Sequence, residues 1–385
     1  MFPDVPEGSL DVGGFFVEKP GSQGPGFYRG SWRCSVKELW LTLEDGTAWK
    51  GMGSDLTEDV EGEVVFTTAA GGYPQALSDP SYCGQMVLFA FPPTGIYGVD
   101  LEALESPRPW ATAALVGCLE TAPGARVPQL ATWLAGAGVP LVAGIDTRGL
   151  VRHLRSRGTL RGRLGRLVRR PEIRSSGDAV RCVSPGRVSV AGSSPRRIGV
   201  LDCGVKEGIL RHLGGAGWSV VRFPSSASSA EILSWGVEGL ILSNGPGDPS
   251  LWSRETATVR ELLGRVPIFG ICLGCQVLAR ACGGTTEKLP FGHRGGNQPV
   301  VDLATGKGFV TSQNHGYAVN EGSLKGTGLV VTFRHLGDGS VEGVRHATCA
   351  AEGVQFHPEA SPGPRDALFL LDRFLQSLPR GEHHV

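Results

Sequence analysis

Alternation of apolar and polar residues in the first part of the chain predicts strands separated by turns. It is clearest around Glu44-Asp45-Gly46, where the Asp-Gly pair predicts a tight β-hairpin over 39–51. An amphipathic run preceded by Asp146, a residue type that caps helices, predicts a helix over 147–157. Shorter apolar runs predict further strands at 63–67, 86–91, 111–116 and 139–145.

The second part of the chain alternates between strand-like and helix-like runs, which is typical of a parallel sheet covered by helices. The fold class predicted from these patterns is α/β, with an N-terminal β/α domain and a second domain built on a mostly parallel central sheet. Strands are predicted at 198–202, 218–223, 240–243 and 266–271. Helices are predicted at 206–213, 255–264 and 276–281.

The length of the chain, 385 residues, exceeds the usual size of one domain and predicts two. The best linker candidate is 176–197, which is rich in Ser, Gly, Pro and Arg and has no clear periodicity. It separates a first domain, 38–175, from a second, 198–385. Residues 1–37 are expected to be a poorly ordered extension that matches neither a secretory signal nor a transit peptide.

Composition narrows the class of protein. Hydrophobic residues make up 41% and charged residues 19%, as in an ordinary globular protein, and no segment resembles a membrane span. The 37 basic residues balance the 37 acidic ones, so the net charge is zero. No overall electrostatic field therefore attracts nucleic acid or an anionic membrane. The basic segment 152–174 lacks interleaved aromatic residues, which favours a solvated or partner-facing surface. Nine scattered cysteines indicate a reducing compartment, and we expect a cytoplasmic location.

A candidate nucleophile follows the strand predicted at 266–271. Cys272 stands between Gly270 and Gly274 where strand gives way to helix, like the serine of a Gly-x-Ser-x-Gly elbow. A helix N-terminus favours a thiolate, and the backbone N–H of Leu273 points to where an oxyanion forms on attack. Two alternatives remain open at this point: a buried structural cysteine, or a redox pair or half metal site formed with Cys275.

Such a cysteine needs a histidine base and a group that orients the histidine. His357 lies at the end of a strand-like run, and Glu359 follows two residues later, so this pair is the predicted base and orienter. The loop 243–249 follows another strand and exposes backbone N–H groups, which predicts a second wall for an oxyanion. Weaker candidates for the base are His293, His315 and His346.

Four segments of the second half resemble class I, triad-type glutamine amidotransferases in order and spacing. They are LSNGPGDP at 242–249, FGICLGCQ at 269–276, TSQNHGYAV at 311–319 and QFHPEASPGP at 355–364. Segments of the first half are similar to a domain particular to small subunits of carbamoyl-phosphate synthetase. They are LEDGT at 43–47, GEVVF at 62–66, GY at 72–73 with DPSY at 79–82, and GIDTR at 144–148. The resemblance to this small-subunit family spans roughly 38–380.

The resemblance implies a glutaminase whose catalytic triad is Cys272, His357 and Glu359, with a γ-glutamyl thioester on the cysteine. The residues implied to hold L-glutamine are Ser81, Gly245, Gly247, Leu273, Gln276, Asn314, Gly316 and Tyr317. Ammonia would pass through a channel to a large subunit, which uses ATP, Mg and bicarbonate to make carbamoyl phosphate for pyrimidine and arginine synthesis. A heterodimer is implied, with no cofactor and no metal in this chain and no nucleic-acid or membrane partner. The chain has no phosphate-binding motif of the Gly-x-x-x-x-Gly-Lys-Ser/Thr kind, which agrees with ATP chemistry in a partner.

Three residues and one segment depart from the family pattern, and the segment, 66–73, lacks the asparagine and methionine that the family usually has there. Cys275, Arg294 and Gln298 lie where the family often has histidine. These changes leave the implied triad intact. They bear on the rate of glutamine hydrolysis and on its coupling to the large subunit. The alternatives are an amidotransferase of another pathway, a free-standing γ-glutamyl hydrolase, or a catalytically weak subunit kept for assembly or regulation.

Overall fold

A computed structural model describes residues 36–54, 56–120, 127–172 and 181–379. Most of the extension predicted at 1–37 and residues 176–180 of the predicted linker lie outside the described residues. No helix in the described ranges is long and apolar enough to cross a membrane.

The first unit is a closed barrel of seven strands among the described residues, with three helices in its connections. The strands are β1 (Val36–Leu43), β2 (Ala48–Ser54), β3 (Val60–Thr67), β4 (Gln85–Phe89), β5 (Ala113–Val116), β6 (Leu141–Ala143) and β7 (Leu160–Gly165). The helices are α1 (Tyr73–Ser78), α2 (Leu130–Gly136) and α3 (Thr147–Arg157). Around the barrel the strand order is β1-β2-β6-β5-β4-β3-β7.

Two local predictions for this unit are confirmed with their turn and cap chemistry. β1 and β2 form the antiparallel hairpin, and the N–H of Leu43 donates to the carbonyl of Thr47 at 2.8 Å across its turn. The side chain of Asp146 caps α3 by accepting from the N–H of Gly149 at 2.8 Å. The other predicted strands of this part are present as β3 to β6, with ends shifted by a few residues.

Closure of the barrel is a feature that no local pattern indicated. β1 pairs with β7 in antiparallel register, with Leu41 opposite Leu164. Leu39, Leu41 and Leu43 alternate along β1 and are fully buried in the core. Since β1 and β7 lie at opposite ends of this unit, their pairing depends on where the chain returns rather than on either segment alone.

The second unit is built on a ten-stranded sheet among the described residues. Its parallel part has the order β10-β9-β11-β12-β17, which confirms the predicted parallel sheet. β8 lies inside the segment predicted to be a linker and pairs antiparallel with β10. The strands are β8 (Ser189–Ala191), β9 (Arg197–Asp202), β10 (Ser219–Pro224), β11 (Gly239–Leu242), β12 (Ile268–Ile271), β13 (Thr286–Asp302), β14 (Gly308–Val319), β15 (Leu329–His335), β16 (Val341–His346) and β17 (Ala351–Val354).

Helices cover both faces of the parallel strands and bury a separate core on each. On one face Leu213 and Phe374 pack against the sheet, and on the other Val259 and Leu278 do so. The last predicted helix begins at Leu273 rather than at 276, directly after the candidate nucleophile. The helices are α4 (Glu207–Gly215), α5 (Ser229–Ser234), α6 (Ser253–Leu262), α7 (Leu273–Ala281) and α8 (Phe369–Ser377).

Four antiparallel strands, β13 to β16, extend the sheet beyond β17 and were not predicted. β13 and β14 pair along most of their length, with two register shifts. In this pairing Asn314 lies opposite Arg294 and His315 lies opposite His293. The isolated bridge between Ser312 and His357 then places this part of β14 beside the end of the parallel strands.

Glu105 of the first unit joins the barrel to the second unit. Its buried carboxylate accepts from the N–H of Gly208 at 2.9 Å and from Nη2 of Arg211 at 3.1 Å. Its backbone carbonyl accepts from the N–H of Glu207 at 2.9 Å. The N–H groups in the first turn of a helix have no partner within that helix. Glu105 of the first unit therefore caps α4 of the second unit.

Candidate active site

The turn from β12 into α7 holds Cys272 in a rare backbone conformation. Its φ is +53°, a region that residues with a side chain seldom adopt. The N–H of Cys272 donates to Val354 O at 2.8 Å, and its carbonyl accepts from the N–H of Gln276 at 3.3 Å. This is the strained strand-to-helix turn of a nucleophile elbow, which presents the reactive atom at the end of a sheet.

The two glycines that flank the elbow are required by close backbone contacts. A Cβ on Gly270 would lie 2.5 Å from Gly274 O, and a Cβ on Gly274 would lie 2.1 Å from Leu242 O. Both distances are far below van der Waals contact, so any side chain there would displace the strand or the helix. The Gly-x-Cys-x-Gly pattern is therefore explained by the elbow, without a redox pair.

His357 follows β17, and the backbone positions it against β14. Its N–H donates to Ser312 O at 2.8 Å, and its Nδ1 lies 2.7 Å from Oε1 of Glu359. A carboxylate accepts, so Nδ1 carries the proton and Nε2 is left for the reaction. Nε2 has no hydrogen-bond partner of good geometry in the described part of the chain, and the Cys272 thiol is near enough to influence the ring.

The charges of this pair are set by their buried surroundings. Burial alone would lower the pKa of His357, but the carboxylate of Glu359 raises it to about 10, against the opposing charge of Lys206. Burial would raise the pKa of Glu359, but Lys206 and His357 lower it to about 2. Near neutral pH the two side chains are therefore an imidazolium and a carboxylate, the form in which histidine can protonate a leaving group.

Lys206 completes this buried cluster and was not identified from the sequence. Its Nζ donates to Oε1 of Glu359 at 3.0 Å and to the carbonyl of Ala360 at 2.5 Å. Lys206 immediately precedes α4, and in the sequence it looked like the start of a helix. No local signal could reveal its role, because its acceptors lie on a distant part of the chain.

A cavity of about 360 Å³ opens beside Cys272 between the two units. Its size is within the range of small-molecule sites in proteins. Of the eight residues predicted to hold glutamine, seven line it together with Cys272: Ser81, Gly245, Gly247, Gln276, Asn314, Gly316 and Tyr317. The eighth, Leu273, is the first residue of α7, and its side chain packs in the core.

The barrel contributes Ser81 to this cavity through Asp79. The carboxylate of Asp79 accepts from the N–H of Ser81 at 2.8 Å and from Nδ2 of Asn314 at 3.2 Å. Nδ2 of Asn244 donates to Oγ of Ser81 at 2.9 Å and to Asp79 at 3.3 Å. Asp79 therefore ties Ser81 to two loops of the other unit, and sequence reasoning had not given it a role.

Charged side chains of both signs also line the cavity. Lys288 pairs with Glu63 at 2.8 Å, and buried Arg294 lies nearby with its Nη1 donating to Phe291 O at 2.7 Å. Burial raises the pKa of Tyr317, which stays a neutral phenol. A zwitterion with a polar side chain matches such a mixed lining better than an apolar ligand would.

The comparisons with known proteins agree with this arrangement. Residues 41–164 match the family model "Carbamoyl-phosphate synthase small chain, CPSase domain", and residues 199–377 match "Glutamine amidotransferase class-I". The carbamoyl phosphate synthase small chain of Bacillus caldolyticus is 45% identical over 87% of this chain and 95% of its own length. The chain belongs to the carbamoyl phosphate synthase small chain family.

Two further relatives carry the same family name. The carbamoyl phosphate synthase small chain of Symbiobacterium thermophilum is 45% identical over 88% of this chain and 98% of its own. A pyrimidine-specific small chain of Halalkalibacterium halodurans is 41% identical over 90% of this chain and 98% of its own. A solved glutamine amidotransferase of Methylobacillus flagellatus covers 50% of this chain and 98% of its own at 18% identity, with a TM-score of 0.36. That structural likeness is too weak to add to the family assignment.

In this small chain, the three side chains that depart from the family pattern form no hydrogen bond with Cys272, His357 or Glu359 among the described residues. Cys275 is fully buried in α7, where it packs with Ala279 and Val344 and burial raises its pKa. Oε1 of Gln298 lies 3.1 Å from Nε2 of His335. Of the three departures, only Arg294 lines the cavity.

Gln355 is a third side chain at this site that the sequence did not reveal, after Lys206 and Asp79. Its Nε2 lies 3.6 Å from Sγ of Cys272, and its Oε1 accepts from Nε2 of Gln276 at 2.9 Å. Nε2 of Gln276 also donates to Tyr317 O at 2.7 Å. The amide nitrogen of Gln276 therefore holds β14 against α7.

Proposed function

We propose that this chain is the glutamine-hydrolysing subunit of a carbamoyl phosphate synthase. The observation that carries the proposal is the elbow, which holds Cys272 at a positive φ at the mouth of a cavity. The 2.7 Å contact of His357 with Glu359 supplies an oriented base in the same place. Membership of the small chain family, by sequence and by both of its domains, supports the choice of pathway.

In the first half of the reaction, the Cys272 thiolate attacks the carboxamide carbon of L-glutamine. The oxyanion is held by backbone N–H groups near Leu273 and Gly245, at the positive end of α7. His357, as the imidazolium, gives its Nε2 proton to the departing nitrogen, and ammonia leaves. A γ-glutamyl thioester remains on Cys272.

In the second half, neutral His357 takes a proton from water, which attacks the thioester carbonyl and releases glutamate. Glu359 keeps the proton of the imidazole on Nδ1 and stabilises the imidazolium that forms. Lys206 holds Glu359 in its ionised form, since its Nζ lies 3.0 Å from the carboxylate. No cofactor is needed for either half, and we assign none to this chain.

Glutamine is proposed to lie along the cavity with its amide at Cys272. Gln276, Asn314, Gly316 and Tyr317 offer polar groups from one wall, and the loop with Gly245 and Gly247 offers backbone groups from the other. Ser81 reaches the ligand from the barrel. Because each buried polar group needs a partner, such a site discriminates against analogues that lack the matching group.

The ammonia is proposed to pass through a channel to a large synthetase subunit, which binds ATP, Mg and bicarbonate and makes carbamoyl phosphate. That product would serve pyrimidine synthesis, as the name of one relative indicates for that protein, and arginine synthesis. The two chains would form a cytoplasmic heterodimer. We propose no nucleic-acid or membrane partner, since the 37 basic and 37 acidic residues balance.

A glutaminase assay tests the catalytic claim. Purified chain should release glutamate from glutamine, and Cys272→Ser should lower kcat to below about one thousandth of wild type. Cys349→Ser is the matched control, because Cys349 lies at the opposite end of β17 from His357 and should keep full activity. Equal rates for wild type and Cys272→Ser, with and without the large subunit, would leave an assembly or regulatory role instead.

Capture of the native partner tests the pathway. The tagged chain should recover a large ATP-dependent synthetase that makes carbamoyl phosphate with glutamine as nitrogen donor. Recovery of a different synthase would make the chain an amidotransferase of another pathway, and this outcome is separate from that of the glutaminase assay.

A further inference from the structure

A buried cluster of two histidines and a glutamate lies beside the candidate active site, and one of its members, His315, also lines the cavity at Cys272. His293 is on β13, His315 on β14 and Glu342 on β16, and each is at least nine-tenths buried. One nitrogen or oxygen from each of the three lies within 4.8 Å of the others. The proposed reaction at Cys272 uses none of these side chains.

The hydrogen bonds of His315 determine which of its nitrogens carries a proton. Nδ1 lies 2.8 Å from the carbonyl of Tyr317, which can only accept, so Nδ1 donates. With the proton on Nδ1, Nε2 of the neutral ring has a lone pair. Nε2 nevertheless faces two oxygens, Oε1 of Gln313 at 3.0 Å and Oε1 of Glu342 at 3.8 Å.

The amide of Gln313 cannot relieve this contact by turning over. Its Nε2 donates to Oε2 of Glu342 at 2.9 Å and to Oγ1 of Thr311 at 3.1 Å, so its oxygen must face His315. A lone pair therefore meets two acceptors in a buried site. Such a contact is unfavourable unless a cation lies between them.

His293, like His315, has one ring nitrogen bonded to an acceptor and the other directed at Oε1 of Glu342. Its Nε2 donates to Asp338 at 2.9 Å, which directs Nδ1 toward Oε1 of Glu342 at 3.3 Å. Nδ1 has no well-aligned hydrogen-bond partner within the described part of the chain. A proton on Nδ1 would satisfy this contact alone, but it would leave Nε2 of His315 facing its two oxygens.

Both histidines thus have one nitrogen held by an acceptor and the other directed at the same carboxylate oxygen. Histidines that bind metals in proteins are oriented in this way by carbonyl and carboxylate groups. Bonds of about 2.0–2.1 Å in a tetrahedral zinc site place ligand atoms about 3.3 Å apart. The separations of 3.3 Å and 3.8 Å from Glu342 Oε1 are close to that spacing.

A neighbouring group, His293 with His335 and Asp338, fits less well. Nε2 of His293 is used in the bond to Asp338, and Nδ1 of His335 accepts from the N–H of Gly337 at 3.1 Å. The ring of His335 instead stacks on His293, with centroids 4.0 Å apart. These two side chains therefore support the orientation of His293 and do not form a second site.

We propose that Nδ1 of His293, Nε2 of His315 and Oε1 of Glu342 bind a zinc ion, whose fourth position faces Gln313. Two imidazoles and a carboxylate are a common ligand set for zinc. This differs from the expectation of no metal in this chain, since the three residues lie far apart in the sequence and are brought together only by strand pairing.

The proposed ion has a structural role. His315 stands between Asn314 and Gly316 on β14, so a metal tie to β13 and β16 would hold this segment in place beside the cavity. Metal binding itself does not depend on the proposed function of Cys272.

Metal titration of the full chain tests the proposal. Chain stripped with a chelator should take up one Zn²⁺, and zinc should raise its thermal unfolding midpoint. Glu342→Gln keeps the shape of the side chain but removes the charge, and should weaken zinc binding at least about 100-fold. Asp338→Asn changes an exposed group that orients His293 but is not one of the proposed ligands, and should weaken zinc binding about 10-fold. Both variants should keep the far-ultraviolet circular dichroism spectrum of the wild type.

Cobalt distinguishes this site from the cysteines of the chain. Co²⁺ bound to nitrogen and oxygen ligands should give a visible d–d spectrum without a thiolate-to-cobalt charge-transfer band. His212→Gln, which alters a partly exposed histidine paired with Asp372 far from the proposed ligands in the sequence, is the control and should bind metal as the wild type does. Failure of wild type to bind zinc, unchanged binding in Glu342→Gln, or a charge-transfer band would each overturn the proposal.

Discussion

Glu359 controls the charge of His357, and this predicts how the pH dependence of hydrolysis responds to its removal. Its carboxylate raises the pKa of His357 to about 10 against burial and against Lys206. In Glu359→Gln, burial and the charge of Lys206 still lower the pKa of His357, but the carboxylate that raises it is gone. The pKa of His357 must therefore fall. The alkaline limb of kcat/KM against pH reports loss of the imidazolium in free enzyme, and should move to lower pH by about one unit or more.

Glu352→Gln is the control for this profile. Glu352 lies on β17, and its carboxylate pairs with Arg373 on the surface rather than with the triad. The alkaline limb of kcat/KM against pH for Glu352→Gln should coincide with that of wild type. An unchanged limb in Glu359→Gln would mean that the carboxylate does not set the charge of the histidine during catalysis.

At the scale of elements, the close packing of α7 on β11 predicts that Gly274 tolerates no side chain. In Gly274→Ala the new Cβ would lie 2.1 Å from the carbonyl oxygen of Leu242, so α7 must move and take Cys272 with it. We expect a loss of about 2 kcal/mol in the free energy of unfolding. Glutamine hydrolysis should fall steeply, because the elbow no longer presents the thiol to the cavity.

The matched control is Gly214→Ala in α4, where a Cβ would meet no atom within 4 Å. Alanine suits a helix better than glycine, so stability should stay the same or rise by about 0.5 kcal/mol. Urea unfolding followed by circular dichroism measures both variants. If the two substitutions had equal effects, the contact with Leu242 would not be what requires Gly274.

At the scale of the whole molecule, Glu105 predicts that the two units stabilise each other. Glu105→Ala removes the buried acceptor for the N–H of Gly208 and the partner of Arg211. A hydrogen bond to a charged group contributes about 2 kcal/mol, and Arg211 is half-exposed, so we expect a loss of about that size. Urea unfolding of the full chain measures it.

Glu102→Ala provides the comparison, because Glu102 is exposed and lies three residues away. Glu102→Ala should change the free energy of unfolding by no more than about 0.5 kcal/mol. We also expect Glu105→Ala to raise KM for glutamine, since Ser81 reaches the cavity only when the barrel is docked. Wild-type stability and KM in Glu105→Ala would show that other contacts suffice to join the units.

The sequence by itself determined the features that depend on neighbouring residues. The hairpin turn at Asp45-Gly46, the cap at Asp146 and the strand–cysteine–helix elbow each follow from a few adjacent positions, and all three are present. The alternation of strands and helices likewise predicted the parallel sheet, and motif spacing indicated the family. Local hydrogen bonding and steric limits act over a few residues, which is the range that a pattern covers.

Only the tertiary structure decided which distant side chains meet. Closure of β1 on β7, the bond from Lys206 to Glu359, and the contact of Asp79 with Asn314 each join parts of the chain that are far apart. The same is true of the histidine cluster, whose strands were not predicted at all. These contacts depend on the register of antiparallel strands and the docking of two units, and burial then forces every polar group to find a partner.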